Sequence, residues 1–349
     1  MDITIAGSGR PWSRCAGSGW YEISGSGDFA VPTLQALGQT HHSIVAVVTA
    51  PDRPAGRGRR LTPTPVAQWA AANGLPVFKL AQVADADLLR RLPPLEPELF
   101  VAIAFGQKLP AALLAIARYG GVNLHPSLLP QFRGAAPVPW AILSDRSETG
   151  VSVIRLADIM DGGDILGVQR TTIAVDETAG ELHDRLARLG APLVLQVVDQ
   201  LAEGTAKAVP QDGLSASRAP KLHASMAWVD VHQPAAAVSS RIRGLSPWPG
   251  CRAEFVAPGG SRRVEVLLLK CREQGSLSAA SEPPGSNPLA PTEPGTVRPD
   301  LTIACQTGAV ELLQLQPLAR RSMDLEAFVN GYGLKPGWRL HSGPELALR

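Results

Sequence analysis

Short apolar runs alternate with amphipathic stretches over the first 120 residues of the chain. The apolar runs are rich in Val, Ile, Leu and Phe, which is typical of strands buried on both faces of a sheet. Strand–helix alternation favours a parallel, doubly wound arrangement. The predicted strands are "DITIAG", "SIVAVVTA", "LPVFKL" and "ELFVAIAFG", and the predicted helices are "VPTLQALGQ", "PVAQWAAANG" and "DADLLRRL".

The same alternation continues as far as Gly204. "VNLH" predicts the next strand, and "APVPWAIL" predicts the start of the next helix. Two further strands lie in "TGVSVIRLADIMDGGDILGVQRTTI", where an Asp/Gly-rich loop joins them, and a long amphipathic helix ends at Gly204. Residues 1–204 are therefore predicted to form an α/β domain with a Rossmann-like, doubly wound and mostly parallel sheet.

The remainder of the chain has a different pattern. Residues 205–220 predict a linker. In residues 221–349 one helix, "PAAAVSSRIRGL", precedes short β-rich runs, which favours a small barrel domain. The low-complexity stretch 273–296 predicts a flexible loop within that barrel.

Composition and charge narrow the class of protein. The 349 residues are 45% hydrophobic, which is ample for two packed domains. The net charge is only +2, but residues 211–272 carry nine Lys or Arg against four Asp or Glu, which hints at an acidic partner for the second half.

Cysteine spacing and hydropathy indicate the compartment. Cys15, Cys251, Cys271 and Cys305 lie far apart, with no CxxC pair, so a disulfide framework or a structural zinc site is not expected. No apolar run approaches the ~20 residues needed to cross a bilayer. We expect a soluble protein without a membrane partner, in the cytoplasm of a bacterium or an organellar matrix of a eukaryote.

The strand "VNLH" carries the candidate chemistry. Asn123 and His125 are two residues apart, so they face one side of the strand while Leu124 packs on the other. They lie at the carboxyl end of a predicted parallel strand, where open α/β sheets place their ligand crevice. Pro126 restricts His125 to extended backbone angles. The result is a stiff platform with an imidazole for acid–base work and an amide that can stabilise an oxyanion.

A histidine in this role needs a carboxylate, and the segment "IMDGGDIL" offers Asp161 and Asp164. Its glycines allow the loop to approach the sheet closely. Asn, His and Asp without a nucleophilic Ser or Cys suit direct acyl-type transfer, in which an amine attacks a carbonyl and no covalent enzyme intermediate forms.

Two glycine-rich stretches invite a phosphate-binding interpretation. Residues 8–27 contain GSG triplets, but their spacing is not GxGxxG and no P-loop lysine follows, which favours a flexible insertion. The loop "APDRPAGRGRRLTP" carries flexible arginines that could pair with the backbone phosphates of an RNA. These arginines are Arg53, Arg57, Arg59 and Arg60.

The block "NLHPSLLPQFRGAAPVPWAIL", followed by "TGVSVIRLADIMDGGDIL", resembles the formyltransferases that use 10-formyltetrahydrofolate as co-substrate. The resemblance implies that Asn123, His125 and Asp164 occupy the catalytic positions, and it implies no metal. By the same resemblance, residues beside the folate are Ser127, Leu128, Leu129, Pro130 and Asp161.

Further motifs narrow the resemblance to the methionyl-tRNA formyltransferases, among them "VVTAPDRPAGRGRRLTPTPV" and "RIRGLSPWPG". This likeness implies a C-terminal barrel resembling an OB-fold and methionyl initiator tRNA as partner, with the arginine loop near the tRNA acceptor end. A monomer is the simplest expectation. Candidates for phosphate contacts are Arg53, Arg57, Arg59, Arg60, Arg241, Arg243, Arg252, Arg262 and Arg263. The stretch 8–27 departs from the family pattern.

Three alternatives stay open at this point. A related enzyme could use the same folate chemistry on an amino sugar or glycinamide ribonucleotide. A divergent RNA-binding protein could have lost its active site through the early insertion. A hydride-transfer enzyme is disfavoured because no dinucleotide fingerprint follows the first strand.

Overall fold

The computed structural model describes residues 2–7, 27–55, 60–81, 86–105, 107–274 and 292–347. The predictions made for the GSG-rich insertion, for Arg57 and Arg59, and for most of the low-complexity stretch therefore concern residues outside the described part.

Ten strands and six helices of the described chain precede residue 205. The strands are β1 (Asp2–Gly7), β2 (Ser43–Thr49), β3 (Arg53–Ala55), β4 (Arg60–Thr62), β5 (Val77–Lys79), β6 (Leu99–Ile103), β7 (Gly121–His125), β8 (Arg133–Gly134), β9 (Glu148–Arg155) and β10 (Ile165–Thr172). The helices are α1 (Gly27–Leu37), α2 (Pro65–Ala72), α3 (Ala86–Arg91), α4 (Ala111–Leu114), α5 (Pro137–Leu143) and α6 (Ala179–Glu203).

Seven of these strands form one sheet in the order β10-β9-β7-β6-β1-β2-β5. Strands β5, β2, β1, β6 and β7 run parallel, whereas β9 and β10 are antiparallel additions at one edge. The predicted mostly parallel α/β sheet is confirmed. Strand β7 lies where the sheet changes from parallel to antiparallel pairing.

Alternation along the strands covers both faces of this sheet. Val122 and Leu124 of β7 belong to the core cluster that includes helices α1 and α6. On β6, Phe100 and Ala102 instead join the cluster on the opposite side, with Leu113 of α4. Because neighbouring strand residues point to opposite faces, Asn123 and His125 share the side away from Leu124, as predicted.

Helix α6 has defined ends. Thr178 and Glu181 form a reciprocal capping box at its start. Gly204 ends the helix in the left-handed region with a φ of 71°. The chain then runs into β11 (Arg218–Ala219), which pairs in parallel with β8.

The C-terminal half forms a small antiparallel barrel. Its strands in the described residues are β12 (Cys251–Val256), β13 (Arg263–Gln274), β14 (Ile303–Ala304), β15 (Ala309–Pro317), β16 (Met323–Asp324) and β17 (Arg339–His341). The helices are α7 (Ala235–Gly244), α8 (Leu325–Tyr332) and α9 (Pro344–Ala347). The edge strands β14 and β17 are bridged by Val297 and Thr296, which closes the sheet, so the predicted OB-like barrel is confirmed.

Charged side chains of the barrel reach the start of α6. Arg272 donates to Asp176 at 2.8 Å, and Lys270 donates to Glu181 at 2.6 Å. The hydrogen bond from Arg272 holds the pKa of the Asp176 carboxyl below its ordinary value. None of the helices in the described residues is both long and apolar enough to cross a membrane.

Cys251, Cys271 and Cys305 are free and buried. Burial raises the pKa of the first two thiols to about 12 and that of Cys305 to about 11.

Since the thiolate is the reactive form, we expect a Cys15→Ser variant to show no fast-reacting thiol at pH 8 while folded. A colorimetric thiol assay should then find these three after denaturation, and fast labelling of the folded chain would contradict the burial.

Candidate active site

His125 ends β7 and is only 4% exposed, so both ring nitrogens need partners within the protein. Nε2 lies 2.9 Å from the carbonyl oxygen of Phe132. Nδ1 lies 3.6 Å from Oδ1 of Asp161, whose side chain is also largely buried. A buried imidazole held at both nitrogens has a fixed orientation, which acid–base or electrostatic catalysis requires.

The Phe132 carbonyl determines which nitrogen of His125 is available for chemistry. A carbonyl oxygen only accepts hydrogen bonds, so Nε2 must carry a proton and donate to it. The second ring nitrogen, Nδ1, faces the Asp161 carboxylate.

Both partners of the imidazole have unusual backbone conformations. Phe132 has a φ of 58° and Asp161 a φ of 54°, in the left-handed region that non-glycine residues seldom occupy. Such a conformation persists only where the surroundings enforce it, and it is concentrated at functional sites. The strain therefore marks the two residues that orient His125.

The loop between β9 and β10 presents the Asp161 carboxylate. Oδ1 faces His125, and Oδ2 accepts from the backbone N–H of Gly134 at 2.8 Å. A Cβ on Gly163 would lie 1.9 Å from the carbonyl oxygen of Arg155, so only glycine allows this close approach to β9. The expectation that glycines bring the loop to the sheet is met at Gly163.

Asp164 does not reach the histidine in this arrangement. Its backbone carbonyl accepts from Arg155 N at 2.9 Å, while its half-buried carboxylate has no hydrogen-bond or ion-pair partner among the described residues. The geometry brings Asp161, rather than Asp164, to His125, and the catalytic role of Asp164 stays a prediction. Asp161, predicted beside the folate, is the carboxylate that faces the imidazole.

Asn123 supplies the free polar group of the site. It is half-buried on β7, paired with Ala102 on one side and Ile154 on the other. Within the part of the chain that the structure describes, its side-chain amide makes no hydrogen bond. An uncommitted amide on the same face as an oriented imidazole is able to donate to a ligand, and the catalytic role of Asn123 stays a prediction.

The segment Ser127–Pro130 forms a tight turn after β7. Ser127 is completely buried, and its hydroxyl donates to the Gln131 carbonyl at 2.6 Å. Leu129 is buried as well, and its N–H donates to Ser152 Oγ at 3.2 Å. Leu128 and Pro130 are half-buried, whereas the Ser127 and Leu129 side chains shape the turn. The position of this turn beside the folate stays a prediction.

Two of the first-domain arginines, Arg53 and Arg60, lie on a β-hairpin. Strands β3 and β4 pair antiparallel, with Arg53 opposite Thr62 and Arg60 opposite Ala55. Arg60 is exposed and Arg53 half-buried, and neither guanidinium has a partner in the described residues. Their role as phosphate contacts stays a prediction.

The second-domain arginines are mostly committed to internal contacts. Arg243 is 8% exposed and donates to Ser239, Ser240 and the Glu177 carbonyl, so the prediction that it contacts phosphate is wrong. Arg241 donates to the carbonyls of Met226 and Trp228. Arg263 is paired with Glu254. Arg252 and Arg262 have no such partner in the described chain and stay candidates.

Sequence analysis missed the contribution of the linker. Gln211 donates to the carbonyl oxygens of Asp161 and Gly163 and accepts from Arg133. Ser217 Oγ accepts from the Phe132 N–H at 2.9 Å. Neither residue belongs to a periodic element, so no hydrophobic pattern could have pointed to them.

A cleft of about 500 Å³ lies elsewhere in the described part of the chain. Residues of α1, α2 and α6 line it, and it contains none of the groups around His125. We assign the active site from the convergence of oriented polar groups, because volume alone carries no chemistry.

Comparison with known proteins shows the family to which the chain belongs. Residues 21–198 match the formyl transferase family model, and residues 221–333 match the model of the formyl transferase C-terminal domain. A methionyl-tRNA formyltransferase of Methylococcus capsulatus is 38% identical over 89% of this chain and 96% of its own. One from Symbiobacterium thermophilum is also 38% identical, over 93% of this chain and 96% of its own.

Solved structures share the fold at lower identity. The sugar 3N-formyl transferase WlaRD superposes with a TM-score of 0.58 at 16% identity, over 92% of this chain and 99% of its own. HypX from Aquifex aeolicus, in complex with tetrahydrofolic acid, superposes with a TM-score of 0.57 at 15% identity, over 96% of this chain and 48% of its own.

The close approach at Gly163 can be tested by substitution. We expect Gly163→Ala to lower the free energy of unfolding by about 2 kcal/mol or more, because the added Cβ would meet a backbone carbonyl that cannot step aside. Gly331→Ala is the matched control: its Cβ meets nothing within 4 Å, and alanine favours a helix. Urea unfolding measures both, and equal stabilities would contradict the loop geometry.

Proposed function

Because the chain belongs to the formyltransferase family, as a methionyl-tRNA formyltransferase, we propose that it transfers the formyl group of 10-formyltetrahydrofolate to the free α-amino group of methionyl initiator tRNA. The observation that carries the chemistry is the buried His125 imidazole, fixed between the Phe132 carbonyl and the Asp161 carboxylate with the Asn123 amide on the same strand.

The reaction needs groups that stabilise a transient oxyanion and move one proton. The amine nitrogen attacks the formyl carbon, a carbon–nitrogen bond forms, and the carbonyl oxygen becomes negative. The Asn123 amide donates to that oxygen, and the oriented His125 imidazole stabilises its negative charge electrostatically. The bond to folate N10 then breaks, and the proton lost by the amine passes to N10. Asp161 offsets the charge of the imidazolium and holds the ring in place.

This arrangement requires no nucleophilic side chain. Holding amine and formyl group in contact converts a bimolecular step into an effectively unimolecular one, which supplies several kcal/mol of the barrier reduction. The burial of His125 and Asp161 strengthens their electrostatic effect, because water is excluded from around the pair.

Substitutions distinguish the two aspartates. We expect His125→Ala and Asp161→Asn each to lower formyl transfer to methionyl initiator tRNA by about a hundredfold or more, since the first removes the imidazole that stabilises the oxyanion and the second removes the carboxylate that orients that imidazole. Asp164→Asn is the matched control and should cost less than about tenfold.

The assay follows the formylated aminoacyl-tRNA at saturating substrates, with thermal unfolding as a check on folding. A larger loss for Asp164→Asn than for Asp161→Asn would return the orienting role to Asp164. Preferential formylation of an amino sugar or a glycinamide acceptor would overturn the proposed substrate.

The β3–β4 hairpin supports a role in tRNA binding. It places Arg53 and Arg60 on a short ribbon beyond β2, and both guanidinium groups are uncommitted within the described residues. Arginines of this kind bind phosphate oxygens and position a nucleic acid without reading its sequence. Arg252 and Arg262 supply similar groups on the barrel.

Affinity measurements at several salt concentrations test the hairpin. We expect Arg60→Ala to weaken tRNA binding and to reduce the slope of log affinity against log salt by about 1, because one phosphate contact is lost. Arg170→Ala is the control, since that exposed arginine already pairs with Glu148 at 2.7 Å. An unchanged slope for Arg60→Ala would exclude a phosphate contact there.

A further inference from the structure

We propose that Gln211, in the linker between the two domains, is a positioning residue for catalysis: it sets the loop that presents Asp161 to His125. The inference rests on the proposed function, because it assigns the residue a part in the same reaction.

The Gln211 side-chain amide uses all four of its hydrogen bonds to join the Asp161 loop to Arg133. Nε2 donates to the Asp161 carbonyl at 2.9 Å and to the Gly163 carbonyl at 2.7 Å. Oε1 accepts from Nη2 of Arg133 at 2.6 Å and from Nε at 3.1 Å. Carbonyls only accept and guanidinium only donates, so this amide orientation is the one that satisfies all four bonds.

The exposure of the linker singles out Gln211. From Lys207 to Arg218, every side chain is exposed except that of Gln211, which is half-buried. A segment that merely tethers two domains has no reason to bury one polar side chain. The burial follows from the two carbonyls and the guanidinium group that its amide joins.

Backbone contacts on either side keep the linker in place. Val209 and Ile165 exchange two hydrogen bonds, which fixes the linker beside the end of the Asp161 loop. Farther along, the Ser217 carbonyl accepts from Arg133 N at 2.9 Å, and Ser217 Oγ accepts from Phe132 N. The linker therefore contacts both residues that hold the His125 ring, and Gln211 spans the gap between them.

The mechanical consequence concerns Asp161. Its carboxylate is oriented by a left-handed backbone conformation, and the two bonds from Gln211 hold the carbonyls of that residue and of Gly163. Without these two hydrogen bonds, the loop is restrained less than in the wild type. A displacement of about 1 Å of a catalytic group costs up to a hundredfold in rate, so a residue that never touches substrate can control turnover.

Kinetics of two Gln211 variants test the proposal. Gln211→Ala removes all four hydrogen bonds. Gln211→Glu keeps an acceptor for Arg133, but its second carboxylate oxygen would face and repel the carbonyl oxygens of Asp161 and Gly163. We expect both to lower kcat for formylation of methionyl initiator tRNA by about tenfold or more, with KM for tRNA and for 10-formyltetrahydrofolate within about threefold of the wild type. Asp212→Ala is the matched control, because it removes only the cap of the following turn, at Leu214 and Ser215.

A double-mutant cycle separates positioning from a general structural effect. If Gln211 acts through Asp161, Gln211→Ala should lower kcat by less than about twofold in an Asp161→Asn background. The same tenfold loss in both backgrounds would overturn the proposal, as would wild-type kcat in both Gln211 variants. Thermal unfolding accompanies each assay, and Gln211→Glu carries the cycle if Gln211→Ala does not fold. Absence of formylation by the wild-type chain would instead refute the proposed function.

Discussion

The organisation of the catalytic domain depends on one constraint: a buried imidazole at the end of a strand must find partners for both of its nitrogens. His125 meets a carbonyl on one side and a carboxylate on the other. Each partner arrives on a different segment and each adopts a left-handed backbone conformation to do so. Glycines follow from the same constraint, since a Cβ at Gly134 would lie 2.8 Å from the Ala219 carbonyl. The strand supplies the ring, and the loops take the shape that the ring requires.

The strand and its chemistry were predictable because strand periodicity is local. Residues two positions apart on a strand lie on the same face, so Asn123 and His125 could be placed from the sequence. The choice between Asp161 and Asp164 could not be made in this way. Both lie in a loop with two adjacent glycines, where no repeat fixes the direction of a side chain, and the choice depends on a φ of 54° and on contacts with residues far away in sequence. Resemblance to a family indicated this loop, and the structure shows which of its two carboxylates faces His125.

The basic segment shows a different limit. Counting charges in residues 211–272 suggested an electrostatic surface, but Arg241, Arg243, Arg263, Lys270 and Arg272 hold the domain and its contacts together. A cation that donates to a carbonyl or pairs with a carboxylate contributes less to an external field than a free one. Sequence can count such groups, whereas the fold decides which of them face a ligand. Arg241 and Arg243 differ from Arg252 only in where their helix or strand is packed.

The path of the linker has a consequence for the evolution of such enzymes. A catalytic module that ended with α6 at Glu203 would have its sheet and its histidine, but it would lack the segment that restrains both partners of the ring. The segment that contacts the site therefore extends beyond α6, through β11. Recombination that joins this α/β domain to a new C-terminal partner would preserve the chemistry only where the crossover falls beyond Ala219. The same segment links the two domains and restrains the active site, so the site constrains where fusions can occur.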